Sequence, residues 1–464
     1  MMTANRRQLL AGAAMAALNA ALPRIADAQD DAPAQPDLFI GTGGHGHTFP
    51  GPSMPFGMVQ LGPDTNNAGW DACSGYHVDD GSIMGFSHTH LSGTGIGDML
   101  DVLVVPLRGP LVLQPGPVGQ PDTGYRQRFT DEQAEPGYYR VKLESGVLAE
   151  LTVTERTGLH RYHFPAGPGH ILIDFAHCKQ EQPDEPIRIE NASLNLADDG
   201  TLTGSRQVFR WAQGRHIHFA LQMSRKPDRV QFFADSDRPL PKSARSAKGQ
   251  RLKIAFFFDE AGGEPIQIRT GISAVDTAGA QDALAGEAPD WNFEGARANA
   301  AAAWAKELNA IRVRGGTAEQ RTIMASALYH CLLAPQLFVD RDGRTMGLDG
   351  AVHRLPPGER AYSAYSLWDT YRALHPLLTI VQPERAALMT RDLIRQTQQS
   401  PYGPPVWPLQ GKETGCMIGW HAVSVLAEAQ AKGIKADYAA AWPAIRVSQT
   451  SRTNGRCLAK RSLL

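Results

Sequence analysis

The chain has 464 residues, which is longer than the length at which a single hydrophobic core usually stops growing, so two or more domains are expected. Its 46 lysines and arginines nearly balance its 47 aspartates and glutamates, and the formal net charge is −1. This balance excludes the basic footprint of a nucleic-acid-binding protein, so we expect no nucleic-acid partner.

Residues 1–28 have the composition of an export signal. Arg6 and Arg7 precede an alanine-rich apolar run, and the tripeptide Ala26–Ala28 is a small-x-small cleavage pattern. Twin arginines in this position indicate the bacterial pathway that exports folded proteins, and an ordinary secretory signal is the alternative. The run is too short for a membrane span, and no other stretch is long enough. Either signal predicts a periplasmic or secreted protein.

Residues 36–275 are predicted to form an antiparallel β-sandwich. Several segments alternate apolar and polar residues, and "RHIHFALQMS" places Ile217, Phe219, Leu221 and Met223 on one face. Clusters of Gly, Pro, Asp and Ser separate the segments. Many short strands without helices between them are typical of a sandwich.

After residue 275 the apolar period changes to that of a helix. The alanine-rich segment 285–312 is predicted to be a linker helix, and 313–446 is predicted to contain the first helices of an α-helical toroid. Within it, "RTIMASALYHCLLAPQLF" carries Ile323, Leu328 and Leu332 on a predicted apolar face. The fold class is therefore α+β with several domains.

Residues 447–464 form an atypical tail. They contain no acidic residue and no apolar period. A disordered basic tail is one interpretation. We favour a frameshift or a premature end, because the helices would otherwise expose an unfinished apolar face.

The stretch "CSGYHVDDGSIMGFSHTHLSGTG", residues 73–95, raises the question of a zinc site. On a strand, His88 and His90 would project from one face. Zinc ligands usually come as compact CxxC, HxxxH or HExxH sets, and none is present. We favour a glycine-braced loop that lines a small-molecule cleft, and structural histidines are the alternative. A zinc metallohydrolase that uses His45, His47, His88 and His90 is a further alternative.

Two loops of the helical half combine carboxylates with tryptophans. "SLWDTYRALH" places Trp368 beside Asp369, with Arg372 close in sequence. A carboxylate accepts hydrogen bonds from adjacent sugar hydroxyls, while an indole ring covers the apolar face of the sugar. Alternatively, Asp369 caps a helix. "GKETGCMIGWHA" adds Glu413, which could instead favour a helix N-terminus through the helix dipole.

Six long motifs carry a family resemblance: "GTGGHGHTFPGPSMPFGMVQLGPDT", "WDACSGYHVDDGSIMGFSHTHLSGTG", "AEPGYYRVKL", "ERTGLHRYHFP", "YSLWDTYRALHPLLTIVQPE" and "GKETGCMIGWHAV". From Asp37 to Arg446 the chain resembles family 92 of the glycoside hydrolases. The resemblance implies a calcium-dependent, exo-acting, inverting α-mannosidase of the α-1,2-mannosidase type, whose partner is a mannose-containing glycan. It also implies a β-sandwich joined to an (α/α)6 barrel, with the active site at the junction.

The resemblance implies roles for individual residues. The loop from Trp70 to Gly95 would belong to the mannose-binding cleft and not to a zinc site. Asp369 and Arg372 would bind mannose hydroxyls from the barrel side. The candidate substrate-binding residues are Trp70, His88, His90, Trp368, Asp369, Arg372 and Glu413.

Inverting hydrolysis needs a carboxylic acid and a carboxylate about 6.5–9.5 Å apart. In the family these groups, and most calcium ligands, lie in later barrel segments with "GN-E/D" signatures, and we find no such segment here. We therefore assign no catalytic residue and no metal ligand, and expect both beyond the last residue. We expect the chain as written to hydrolyse no α-mannoside at a useful rate. A non-catalytic carbohydrate-binding fragment is the alternative.

Overall fold

The computed structural model describes residues 34–117, 120, 123–182 and 188–450. The predicted signal at 1–28 and most of the predicted tail, 451–464, lie outside the described residues and stay predictions. Among the described residues, no helix is long and apolar enough to cross a membrane.

Sixteen described strands between residues 62 and 273 form two antiparallel sheets. They are β1 (Gly62–Asp64), β2 (Gly85–Ser87), β3 (Leu103–Leu107), β4 (Phe129–Glu135), β5 (Tyr138–Leu143), β6 (Leu148–Val153), β7 (Thr157–His163), β8 (Gly169–Asp174), β9 (Arg188–Leu196), β10 (Leu202–Phe209), β11 (Gln213–Met223), β12 (Arg229–Ala234), β13 (Arg238–Pro239), β14 (Ser246–Gly249), β15 (Lys253–Phe258) and β16 (Ile266–Ser273). The first sheet has the order β1-β2-β3-β8-β15-β12-β13, and the second has the order β14-β9-β10-β11-β16-β7-β6-β5-β4.

The two sheets enclose one apolar core, as period-2 patterning predicts. In β11, Ile217, Phe219 and Leu221 are buried in it, and Met223 packs against its edge. Full burial of such a side chain is worth about 1.5–3 kcal/mol relative to exposure. The prediction of an antiparallel sandwich followed by helices is confirmed.

The helical part follows the second sheet. Its described helices are α1 (Thr277–Glu287), α2 (Phe293–Leu308), α3 (Ala318–Cys331), α4 (Leu367–Thr370), α5 (Leu374–Val381), α6 (Pro383–Gln399), α7 (His421–Ala431) and α8 (Trp442–Thr450). Between them lie three two-stranded ribbons: β17 (Gln336–Leu337) with β20 (Tyr362–Ser363), β18 (Arg344–Met346) with β19 (Val352–Arg354), and β21 (Pro408–Leu409) with β22 (Lys412–Glu413).

The segment predicted as one linker helix, 285–312, is in fact divided between two helices. Pro289 follows the end of α1, and the residue before a proline is disfavoured in helical conformation. Asn292 then caps α2, because its side chain accepts the N–H of Gly295 at 2.9 Å. The indole N–H of the buried Trp304 donates to the carbonyl of Ser53 at 2.7 Å, so α2 docks on the sandwich half.

The predicted apolar face of α3 is only partly correct. Leu328 and Leu332 are buried in the helical core, whereas Ile323 is 49 % exposed. Five residues of α-helix turn by about 500°, so Ile323 lies about 140° around the axis from Leu328. It therefore points away from the core that Leu328 joins.

A buried network of four charges connects the loop before β3 to the second sheet. Arg215 on β11 donates to Asp98 and to Asp101, both at 2.7 Å, and Arg206 on β10 donates to Asp101 at 2.6 Å. All four side chains are fully buried. Burial alone would raise the pKa of Asp101, but Arg215 and Arg206 lower it well below its usual range. Arg215 also donates to Gln410 at 3.2 Å, which extends the network to the turn between β21 and β22.

Removing Arg215 tests the weight of this network. Arg215→Met leaves Asp98 buried without its guanidinium partner, and we expect it to lower the free energy of unfolding by about 3–5 kcal/mol. The matched control is Arg354→Met, because Arg354 pairs with Asp342 at 3.3 Å at the surface, where loss of a pair costs about 0–1 kcal/mol. The free energy of unfolding of each variant is measured by urea denaturation, monitored by fluorescence and circular dichroism. An equal loss of unfolding free energy in the two variants would contradict a stabilising role for the buried network.

Candidate functional site

Trp70 presents an exposed aromatic face between β1 and β2. It is 54 % exposed, and its indole N–H donates to the carbonyl of Gly95 at 2.7 Å. The rings of His45 and His47 lie against it, each with a centroid distance of 4.6 Å. A fixed indole whose polar atom is already bonded offers a flat apolar surface, which is what the CH face of a sugar needs.

A polar cluster borders this face. His45 Nδ1 lies 2.7 Å from Asp71 Oδ1, and His47 Nε2 lies 3.6 Å from the same oxygen. Within the described part of the chain, His45, His47 and Asp71 are the group of three histidine, cysteine or acidic side chains that is close enough to hold a metal ion. Calcium takes six to eight oxygen ligands, so two imidazoles and one carboxylate do not fit the calcium that the sequence led us to expect.

His88 and His90 lie in the interior and not on the exposed face. Each is fully buried. His88 Nδ1 is 2.8 Å from the carbonyl of Val102 and its Nε2 is 3.0 Å from His160 Nε2. Burial lowers the pKa of His88 to about 4, so the ring is neutral at pH 7.

His90 is held in the same way between groups of the core. Its Nδ1 lies 2.7 Å from the carbonyl of Gln60, and its Nε2 lies 2.8 Å from Asp64 Oδ1. With both nitrogens of each ring engaged, His88 and His90 can support the loop from beneath but do not reach a ligand at the surface. The four-histidine zinc site is therefore wrong, because only His45 and His47 come together.

On the helical side, Trp368, Asp369 and Arg372 lie at or just after the single turn α4, and all three are exposed. Asp369 does not cap this helix, because Ser366 occupies the N-cap position. One carboxylate oxygen of Asp369 accepts the hydroxyl of Ser366. The other oxygen accepts no hydrogen bond from the described residues and can bind a hydroxyl group. Ser366 is itself fixed, since Trp407 donates its indole N–H to it at 3.1 Å.

Glu413 is occupied by its own loop. Its carboxylate accepts the backbone N–H groups of Val406 at 2.8 Å, Trp407 at 3.0 Å and Gly415 at 2.8 Å. Burial raises the pKa of Glu413, and these N–H groups partly offset that effect. Through these contacts, Glu413 stabilises the conformation of the ribbon β21–β22. Its binding of substrate stays a prediction.

One apolar cluster ties the two sides together. Leu91 and Met99, from the loop that holds Trp70 through Gly95, pack in the same cluster as Trp407 and Leu409. Since Trp407 holds Ser366, and Ser366 holds Asp369, the sandwich face and the helical loop are positioned by the same contacts.

Asp71 and Trp211 also belong to this region, and neither is among the residues predicted from the sequence. Trp211 packs on Trp407 with a centroid distance of 4.4 Å. A signal for Asp71 was present, because it follows Trp70 directly, in the same Trp-Asp order that singled out Asp369. No comparable local pattern marks Trp211.

The family models that match are the glycosyl hydrolase family 92 N-terminal domain, over residues 37–273, and the glycosyl hydrolase family 92 catalytic domain, over residues 279–462. The second match extends into the predicted atypical tail, 447–464, whose origin stays a prediction.

Solved structures of the same family resemble this chain. A family GH92 α-mannosidase from Bacteroides thetaiotaomicron, solved in complex with mannoimidazole, is 37% identical with a TM-score of 0.85, and the match covers 92% of this chain and 56% of that one. A family GH92 inverting mannosidase from Bacteroides thetaiotaomicron VPI-5482 is 25% identical with a TM-score of 0.77, and covers 89% and 54%.

A curated relative agrees with these matches. The "Uncharacterized secreted glycosidase" of Arthroderma benhamiae is 27% identical over an alignment of 330 residues, and the match covers 65% of this chain and 41% of that protein. The chain thus spans about half the length of the relatives it matches. The two family models together cover most of it, and the resemblance predicted from the sequence is confirmed: the chain belongs to glycosyl hydrolase family 92.

Proposed function

We propose that this chain supplies the mannose-binding surface of an exo-acting, inverting α-mannosidase that removes terminal mannose from glycans. The observation that carries the proposal is the 37% identity, over 92% of this chain, to a family GH92 α-mannosidase solved with mannoimidazole. The α-1,2 linkage and calcium belong to the proposal through the family resemblance alone. Export from the cytoplasm is also proposed, and the secreted relative supports it.

The described residues supply binding groups of two kinds. The exposed ring of Trp70 would cover the CH face of a mannose ring. The carboxylate of Asp369 would accept hydrogen bonds from adjacent hydroxyls, which are stronger than bonds between neutral groups. Arg372 is exposed beside it and would donate to hydroxyl oxygens.

No described carboxyl group is assigned as the general acid. Asp340 has the raised pKa, about 6, that such a group needs, and the cause is burial. However, it is almost fully buried, and it accepts the hydroxyl of Ser273 at 2.6 Å and the N–H of Ala274 at 2.9 Å. These bonds join the sandwich to the helical half, so Asp340 is a structural carboxyl group without access to a glycosidic oxygen.

Removing the ring of Trp70 tests the sandwich side of the proposal. We expect the chain to bind methyl α-mannoside one to one and at least about tenfold more tightly than methyl α-glucoside, with Trp70→Ala losing about 1–3 kcal/mol of binding free energy. Trp442→Ala is the matched control, because Trp442 is also 54 % exposed but lies on α8. Calorimetric titration measures both variants.

The outcomes of this titration separate the alternatives. Equal affinity for the two sugars, or equal losses in Trp70→Ala and Trp442→Ala, would overturn the proposal. In parallel, the hydrolysis of an aryl α-mannoside is measured in the presence of calcium. Turnover would show that an acid and a base lie within these 464 residues, against the expectation from the sequence, whereas binding without turnover would favour the carbohydrate-binding alternative for the chain as written.

Asp369→Asn tests the helical side. The amide keeps the shape of the side chain but loses the charge-assisted hydrogen bonds, so we expect methyl α-mannoside to bind about tenfold more weakly, equivalent to about 1.4 kcal/mol. Because Asp369 is exposed, we expect the melting temperature to stay unchanged. Asp198→Asn, at a fully exposed turn, is the control. Wild-type affinity in Asp369→Asn would remove Asp369 from the binding surface.

A further inference from the structure

One ring nitrogen of His47 is buried without a partner. Its Nε2 has no hydrogen bond within the described part of the chain, and the side chain is only 4% exposed. The other nitrogen, Nδ1, lies 2.8 Å from the carbonyl oxygen of Thr94. A carbonyl oxygen can only accept, so Nδ1 carries the hydrogen and donates it. In the neutral ring, Nε2 therefore presents a lone pair.

This lone pair faces a second acceptor. Asp71 Oδ1 lies 3.6 Å from Nε2, and a carboxylate oxygen is a hydrogen-bond acceptor. Two acceptors that face each other repel unless a proton or a metal ion lies between them. A distance of 3.6 Å is too long for a hydrogen bond. Two ligands of one metal ion, by contrast, are separated by about this distance.

We propose that His45, His47 and Asp71 bind a divalent transition-metal ion of the zinc class, with at least one coordination position open to water or a ligand hydroxyl. Two imidazoles and one carboxylate are the protein ligands of known open zinc sites. Imidazole suits zinc, copper, iron and nickel, whereas calcium and magnesium prefer oxygen ligands. This inference goes beyond the proposed mannosidase function and does not depend on it.

The geometry needs little adjustment to accept such an ion. The three donor atoms lie within 4.8 Å of one another. Ligands at about 2.0–2.1 Å in a tetrahedron lie about 3.3 Å apart. His47 Nε2 and Asp71 Oδ1 are already close to that separation. His45 Nδ1 must move away from the 2.7 Å contact in which it donates its hydrogen to Asp71, and the ring must change tautomer so that Nε2 carries the hydrogen and Nδ1 offers a lone pair. The side chains of His45 and Asp71 are 69% and 53% exposed, so they are free to move.

The surroundings hold His47 in the conformation of a ligand. The bond from Nδ1 to the Thr94 carbonyl fixes the ring and its tautomer, as the outer partner of a metal-binding histidine usually does. The backbone of His47 has φ 52°, a left-handed conformation that is uncommon for a residue with a β-carbon. Its carbonyl accepts the N–H of Gly93 at 2.7 Å, which helps to hold that conformation.

The test is a titration of the full chain with zinc after treatment with a chelator. We expect one ion to bind per chain, and we expect His47→Ala and His45→Ala each to weaken the affinity at least about tenfold. Because His45 is largely exposed, His45→Ala keeps the test decisive even if His47→Ala does not fold. His353→Ala is the matched control, since His353 Nε2 also lies 2.9 Å from a carboxylate, that of Asp349, but is not in a described group of three donors.

Cobalt provides a second readout that separates this site from the cysteines. A tetrahedral site of nitrogen and oxygen donors gives visible cobalt bands without the intense near-ultraviolet band of thiolate ligands. Cys73 is near in sequence, but it is buried and does not belong to the described group of three donors. A thiolate spectrum, the absence of one-to-one binding, or unchanged zinc affinity in His45→Ala would each overturn the proposal. None of these readouts depends on mannoside binding or hydrolysis.

Discussion

The buried pairing of two arginines with two aspartates is the constraint on which the candidate site depends. Moving a charged side chain out of water costs several kcal/mol, and the cost is offset only where partners and hydrogen bonds are well placed. Asp98 and Asp101 meet this condition in one arrangement, with Arg206 and Arg215 on neighbouring strands. The loop that carries the two aspartates is thereby fixed against the second sheet.

Fixing that loop also fixes the exposed face. The carbonyl of Thr94 holds the ring of His47, and the carbonyl of Gly95 holds the indole of Trp70. Both carbonyls belong to the segment that leads into Asp98. The residues Trp70 and His47 are therefore positioned by way of fully buried charges, and we expect a substitution in the network to displace them without changing either residue.

The sequence predicted the architecture better than the site. Alternating apolar residues such as Ile217 and Phe219 lie on the same face of their strand, because successive side chains point to opposite faces. That face packs in the core. The sequence does contain a local signal for the division of the predicted helix 285–312, because Pro289 disfavours a helical conformation at the residue before it. The buried positions of His88 and His90 had no such signal, because their partners His160 and Gln60 lie 72 and 30 residues away in the sequence.

The two His-x-His motifs show why spacing alone could not settle which histidines are available. The motifs are His45-Gly46-His47 and His88-Thr89-His90. In each, the second histidine donates its Nδ1 hydrogen to a backbone carbonyl, and its Nε2 faces an aspartate. His90 approaches Asp64 to 2.8 Å, a distance that one shared proton bridges. His47 stays 3.6 Å from Asp71, with an exposed imidazole, His45, on the same oxygen. The first arrangement is complete within the fold, whereas the second becomes complete when a cation joins the three donors.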